Sequence, residues 1–170
     1  MSTENSAVMI IVGGAGGIGS AVAQKLAARG CRLVIAGRNA GRLEAVAHDT
    51  GAQAMPVDAR DGAAVDELMQ SVQASHGRVD GVVNCAGSIL LKPAHLISDQ
   101  EFSDTIAANL TTAFNVVRAA SRLLMKQAGG GSIVLCSSVA ARRTRGCRSI
   151  FRAPAGSNSI PPTPSSAAAI

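Results

Sequence analysis

VMIIVGGAGGIGSAVAQKLAAR, Val8 to Arg29, sets the architecture of the chain. Five consecutive apolar residues, Val8 to Val12, read as a strand buried on both faces, and from Ile18 onward the pattern changes to helical spacing. Between them Gly13, Gly17 and Gly19 set the spacing G-x-x-x-G-x-G. Glycines at such a strand-to-helix turn let the backbone bend sharply and approach a ligand closely. The helix N-terminus behind them presents unpaired N–H groups and a partial positive charge suited to a phosphate. Apolar Ile18, Val22 and Leu26 recur every fourth residue, Gly30 falls where the helix should stop, and Arg32 to Ala36 begins a second strand. The stretch therefore predicts one βαβ unit with a pyrophosphate-sized turn.

Downstream, the same alternation repeats. A short helix through Leu43, Val46 and Ala47 ends at Thr50-Gly51, and Gln53 to Val57 reads as a third strand closing on Asp58. A helix opened by Asp61-Gly62 keeps Val65, Leu68, Met69 and Val72 at helical spacing and ends at Gly77. Val79 to Val83 predicts a fourth strand that leads into Asn84-Cys85-Ala86-Gly87. Ser98 and Glu101 have the S-x-x-E spacing of a capping box, which starts the longest helix, expected to run to Lys126 or Gln127 with Phe102, Ile106, Ala113 and Val117 on one face. Glycines 129 to 131 stop it, and Ser132 to Cys136 predicts a fifth strand before Ser137-Ser138.

Five strand–helix alternations predict an α/β fold: a Rossmann-like, doubly wound parallel sheet in the order 3-2-1-4-5, in three α/β/α layers. Ligands of such sheets bind at the strand carboxyl ends where the winding reverses, between strands one and four. The glycine turn, Asp58, Asn84 and Ser138 are all expected at those ends.

Composition bounds the alternatives. The 170 residues suit one domain with a sizeable core, and 47% hydrophobic residues with 18 glycines fit a compact α/β protein. Cys31, Cys85, Cys136 and Cys147 contain no C-x-x-C pair, which points away from a metal site or a disulfide framework and toward a reducing cytoplasm. Neither a basic leader nor a run of about 18 apolar residues is present, so no membrane span is expected. The net charge of +5 is a property of the tail. Residues 1–141 carry as many basic as acidic groups, and Arg142, Arg143, Arg145, Arg148 and Arg152 supply the excess. That segment has few interleaved aromatics, so a nucleic-acid role ranks last.

Taken together, VGGAGGIG at 12–19, VDARD at 57–61, GRVDGVVNCAG at 77–87, IAANLTTAFNVVRAA at 106–120 and GSIVLCSS at 131–138 resemble the short-chain dehydrogenase/reductase family of the G-x-x-x-G-x-G type. The resemblance implies a Rossmann sheet binding NAD(H) or NADP(H) and hydride transfer between an alcohol or carbonyl substrate and the nicotinamide. It implies that Gly13, Gly17, Ile18 and Gly19 hold the pyrophosphate, that Asp58 lies beside the adenine, and that Asn84 and Gly87 floor the cofactor site. Where the family usually has Thr, this chain has Val12, losing one hydroxyl hydrogen bond.

Arg38 follows the second strand in place of an acidic residue, an arrangement that pairs with a 2′-phosphate and favours NADP(H) over NAD(H). A simply solvated arginine is the plain alternative. Asn109, expected as a buried amide on the apolar side of its helix, matches the family's catalytic asparagine, which orders a water in a proton relay; an amide satisfied by a backbone carbonyl is compatible with that role. Ser138 matches the serine that holds and polarises the substrate carbonyl, ahead of Ser137.

The resemblance breaks at the family's Tyr-x-x-x-Lys. Phe151 and Ala155 stand at the expected spacing, no tyrosine occurs in the chain, and Lys25, Lys92 and Lys126 all precede the serine. Residues 142–170 contain no acidic group, no helical periodicity and four of the six prolines, so they are read as an irregular or disordered basic tail after a 1–141 NAD(P)-binding domain, foreign to the family as a frameshift would make it. Impaired catalysis is the expectation, with a non-catalytic NADP(H)-binding or homologue-pairing protein as the alternative. A small-molecule substrate, a homo-oligomer and an exposed fifth-strand edge complete the expectations.

Overall fold

The structure is a computed structural model that describes residues 6–138. The chain divides into two units, Met1–Cys136 and Ser137–Ile170, and only Ser137 and Ser138 of the second are described. Residues 142–170, including Phe151 and Ala155, lie outside the described residues.

The first unit is a parallel sheet whose strands are β1 (Val8–Val12), β2 (Arg32–Gly37), β3 (Gln53–Pro56), β4 (Gly81–Asn84) and β5 (Ser132–Leu135). Their order is β3-β2-β1-β4-β5, as the alternation predicts. Central β1 pairs with β2, bringing Ile10 opposite Val34, and with β4, bringing Val12 opposite Asn84. Helices α1 (Gly17–Ala27) and α2 (Ala40–Thr50) cover one face, where Ile11, Ile35, Leu43 and Ala23 pack together. Helices α3 (Gly62–His76) and α5 (Thr112–Leu124) cover the other, against Val8, Ile10, Val12 and Val34. Alternate residues of β1 thus enter opposite cores, which explains its unbroken apolar run.

Local sequence signals fix most helix ends. Asn39 accepts the Arg42 N–H at 2.9 Å, and Asp61 accepts the Ala63 N–H at 2.9 Å. Ser98 and Glu101 form the expected capping box, with the Ser98 N–H donating to Glu101 Oε2 at 2.8 Å.

Two expectations about helix faces are corrected. In α1, Gly19 and Ala23 are buried, whereas Ile18 is 63% exposed. Small residues let α1 lie close to the sheet, leaving the larger Val22 and Leu26 half-buried at its flanks. The long helix is also interrupted. Helix α4 (Asp99–Ile106) passes through one π-helical turn, Ala107–Thr111, into α5, which ends at Leu124. The wider turn rotates the helix beyond it, so the buried side of α5 is Asn115, Val116, Ala119, Ala120 and Leu124, while Phe102 is 61% exposed and Ile106 also faces outward. Strand β5 pairs only with β4 among the described residues, and its Val134 and Leu135 are exposed, the apolar edge the sequence predicts.

Candidate functional site

The turn after β1 is built by backbone contacts that only glycine permits. Gly13 has φ of 79°, and a Cβ there would meet the Ala86 nitrogen at 2.5 Å and the Cys85 carbonyl carbon at 2.7 Å. A Cβ on Gly19 would fall onto the Gly13 carbonyl oxygen and lie 2.9 Å from Gly14 Cα. Gly17 differs: among the described residues, a Cβ there would meet no atom within 4 Å beyond its own chain neighbours and helix backbone. Gly16, the N-cap of α1, supplies no side-chain acceptor, whereas α2, α3 and α4 are capped by Asn39, Asp61 and Ser98. The first-turn N–H groups of α1 are therefore left to an outside acceptor.

A cleft of about 620 Å³ opens at the carboxyl ends of β1, β2, β3 and β4. Of the expected residues, Gly13, Arg38, Asp58 and Gly87 line it, joined by Arg42, Arg60 and Cys85. Gly17, Ile18 and Gly19 are outside this wall, in the first turn of α1. A second depression of about 550 Å³, between α3 and α5, is apolar and holds none of them.

Asp58 is engaged within the cleft wall. The Arg60 guanidinium reaches Asp58 Oδ2 at 2.6 Å and Oδ1 at 3.0 Å, and the Arg60 N–H donates to Oδ1 at 3.1 Å. These hydrogen bonds hold the carboxyl below its ordinary range, and the positive charges of Arg60 and Arg38 act in the same direction. Arg38 is exposed directly after Gly37, the last residue of β2.

Asn84 is buried at the end of β4, only 3% exposed. Its side chain accepts the Ala86 N–H at 3.1 Å, and its carbonyl accepts the Cys136 N–H at 3.0 Å. The amide thus shapes the turn into the cleft rather than lining it. Gly87 follows, and a Cβ on it would sit 2.9 Å from Asn109 Oδ1.

Asn109 is exposed, which corrects the expectation of a buried amide. It occupies the π-helical turn and is satisfied there: its Nδ2 donates to the Thr105 and Ser88 carbonyls at 2.9 and 3.1 Å, and its Oδ1 accepts the Ser88 N–H at 3.1 Å. The wider turn displaces the α4–α5 backbone and presents Asn109 to the loop beyond β4. Ser138 is exposed and lies in the second unit, two residues after Cys136.

Sequence reasoning missed three supports. Arg60, two residues after Asp58, holds its carboxylate, and Ser88, one residue after Gly87, carries the contact with Asn109. Asn115, buried in an apolar stretch of α5, donates to the Ala59 and Arg60 carbonyls at 3.1 and 3.0 Å, fastening the loop that holds Asp58. A polar residue inside the run AFNVVRAA was the available signal. Among the described residues no group of three His, Cys, Asp or Glu could hold a metal, and no helix is long and apolar enough to cross a membrane.

The family model described as short chain dehydrogenase matches residues 7–153. The chain is similar to 2,3-dihydro-2,3-dihydroxybenzoate dehydrogenase of Bacillus subtilis, 35% identical over 138 residues, covering 78% of this chain and 53% of that one. Similarity to D-threitol dehydrogenase of Mycolicibacterium smegmatis is 36% over 139 residues, covering 79% and 53%. A short-chain type dehydrogenase/reductase from Mycobacterium ulcerans superimposes with a TM-score of 0.77 at 30% identity, over 81% of this chain and 53% of that one. The chain spans about half the length of the curated relatives it matches.

Proposed function

Because the chain belongs to the short-chain dehydrogenase/reductase family, we propose that its cleft holds NADP(H) for alcohol or carbonyl oxidoreduction, with proton transfer impaired in this sequence. The carrying observation is the uncapped start of α1 beside Gly17, where a Cβ would point into open space. Among the described residues no packing contact requires that glycine, whereas a pyrophosphate approaching the backbone would.

In this reading Gly13, Gly17, Ile18 and Gly19 form the pyrophosphate turn, and Asn84 and Gly87 the floor of the site. Asp58 accepts from the adenine amino group while sharing its oxygens with Arg60. Arg38 favours NADP(H), since the end of β2 carries a cation and no carboxylate to hold a ribose 2′-hydroxyl. Ser138 would polarise the substrate carbonyl and Asn109 would order a relay water. The bound dinucleotide would supply the hydride. No tyrosine is present to exchange the proton, a role worth about 10²- to 10⁴-fold in rate.

Exposed Phe102, Leu110 and Phe114 support pairing with a second copy, and the free thiols of Cys31, Cys85 and Cys136 suit a cytoplasmic setting. Titrating NADPH into the full chain while following its consumption with a panel of small carbonyls tests the reading. Saturable binding with slow or no turnover is expected. Turnover at the rate of a complete family member would contradict the impairment, and absence of binding would contradict the site.

A further inference from the structure

Cys85 and Cys136 occupy matching positions just past the ends of neighbouring strands. Asn84 of β4 pairs with Leu135 of β5, so the next residue of each strand is a cysteine, and the Cys136 N–H donates to the Asn84 carbonyl at 3.0 Å. Their sulfurs are 3.5 Å apart. Neighbouring strands lie about 4.7–4.9 Å apart, within the window of about 4.4–6.8 Å that disulfides span between Cα atoms. Closing the bond to about 2.05 Å therefore requires side-chain rotation and a small backbone adjustment, with no strand displaced.

We propose that Cys85 and Cys136 form a peroxide-reactive dithiol that closes to a disulfide across the ends of β4 and β5, at the wall of the cleft. The two thiols have different environments. Cys136 is exposed, while Cys85 is partly buried in the cleft wall. Burial first, and then the contact with Cys136, push the Cys85 thiol up to about 12, so Cys136 reacts first and Cys85 resolves. The Cys136 thiolate attacks one oxygen of hydrogen peroxide, breaking the O–O bond and leaving a sulfenic acid and, after protonation, one water. The Cys85 sulfur then attacks the Cys136 sulfur, the S–O bond breaks, and the thiol proton leaves with the hydroxyl as a second water. In total two thiols and one peroxide give one disulfide and two waters, the two electrons passing from sulfur to peroxide oxygen.

The bond would tie the Cys85–Ser88 side of the cleft to β5. Gly13 packs against Cys85 and Ala86 so closely that a single Cβ would not fit, so this wall has little room to adjust. This consequence rests on the proposed function, but the bond itself does not.

The test treats the full chain carrying Cys31→Ser and Cys147→Ser with hydrogen peroxide, digests it and maps thiols by mass spectrometry. The expected result is a peptide containing Cys85 joined to one containing Cys136, two hydrogens lighter than their sum and separated by dithiothreitol. Cys136 carried to sulfinic or sulfonic acid with Cys85 still a thiol would overturn the pair, as would two unreacted thiols. If the double variant does not fold, the same mapping on the unaltered chain decides, because the Cys85–Cys136 linkage must dominate over those involving Cys31 or Cys147. The oxidised chain is expected to bind NADPH about tenfold more weakly, a usual size for coupling between sites, with recovery on reduction. A cross-linked chain of unchanged affinity would overturn control of the cleft while leaving the cofactor site standing.

Discussion

Asn109 and Ser88 hold each other by reciprocal hydrogen bonds, the Ser88 N–H donating to Asn109 Oδ1 at 3.1 Å and Asn109 Nδ2 returning to the Ser88 carbonyl at 3.1 Å. One side chain in a π-helical turn thereby fixes a loop 21 residues away in sequence, on the rim of the cleft.

Replacing Asn109 with Ala releases that loop. Because Asn109 is exposed, the melting temperature should change little. Amide exchange at Ser88 should accelerate, and NADPH affinity should fall about tenfold, the ~1.4 kcal/mol expected when a preorganised wall loses its tether. Unchanged exchange at Ser88 would show that the loop is held by something else.

Gly17 and Gly19 should separate ligand contact from packing. Gly19→Ala places a methyl against Gly13 and Gly14 and should destabilise the turn by about 1–3 kcal/mol, read by denaturant unfolding. Gly17→Ala crowds no neighbouring group among the described residues, so it should preserve stability and lower NADPH affinity. Equal affinities for Gly17→Ala and the unaltered chain would remove Gly17 from the proposed site.

Asn115 makes a stability prediction independent of any ligand. Asn115→Ala leaves the Ala59 and Arg60 carbonyls without their side-chain donor and should cost about 1–3 kcal/mol in unfolding free energy. Altered amide exchange around Asp58 should accompany it.

The start of α4 should be acid-sensitive. Hydrogen bonds from Lys92 and from Ser98 lower the Glu101 carboxyl to about 2 from an ordinary 4.5. A depressed folded value means that its stabilisation is fully present above about 4.5 and is lost as the pH falls through about 2. Carbon NMR of the Glu101 carboxyl should titrate near the lower value, and Lys92→Ala should move it toward the upper one. A midpoint near 4.5 in the unaltered chain would refute the arrangement.

The features legible in the sequence were local ones. Val8 to Val12 announces a central strand because both its faces are covered, and Asn39, Asp61 and Ser98 announce helix starts because capping acts over three residues. Regular helical spacing does not give the buried face of the long helix, because the period changes at the π-helical turn 107–111. At the site, Gly13, Arg38, Asp58 and Gly87 line the cleft, whereas Gly17, Ile18, Gly19 and Asn84 do not. Ser88 and Asn115 were missed because their partners are distant in sequence, so only the folded chain brings them together. The expected roles of residues beyond 138 fall outside the described structure.

Whether the cleft takes a dinucleotide is decided by the binding of NADPH and NADH to the purified full chain, measured by calorimetry and by the shift in melting temperature. Saturable binding that raises the melting temperature is expected, with NADPH tighter than NADH and the difference abolished by Arg38→Ala. If neither nucleotide, at millimolar concentration, binds or raises the melting temperature of the folded chain, the cleft at the strand ends is not a dinucleotide site.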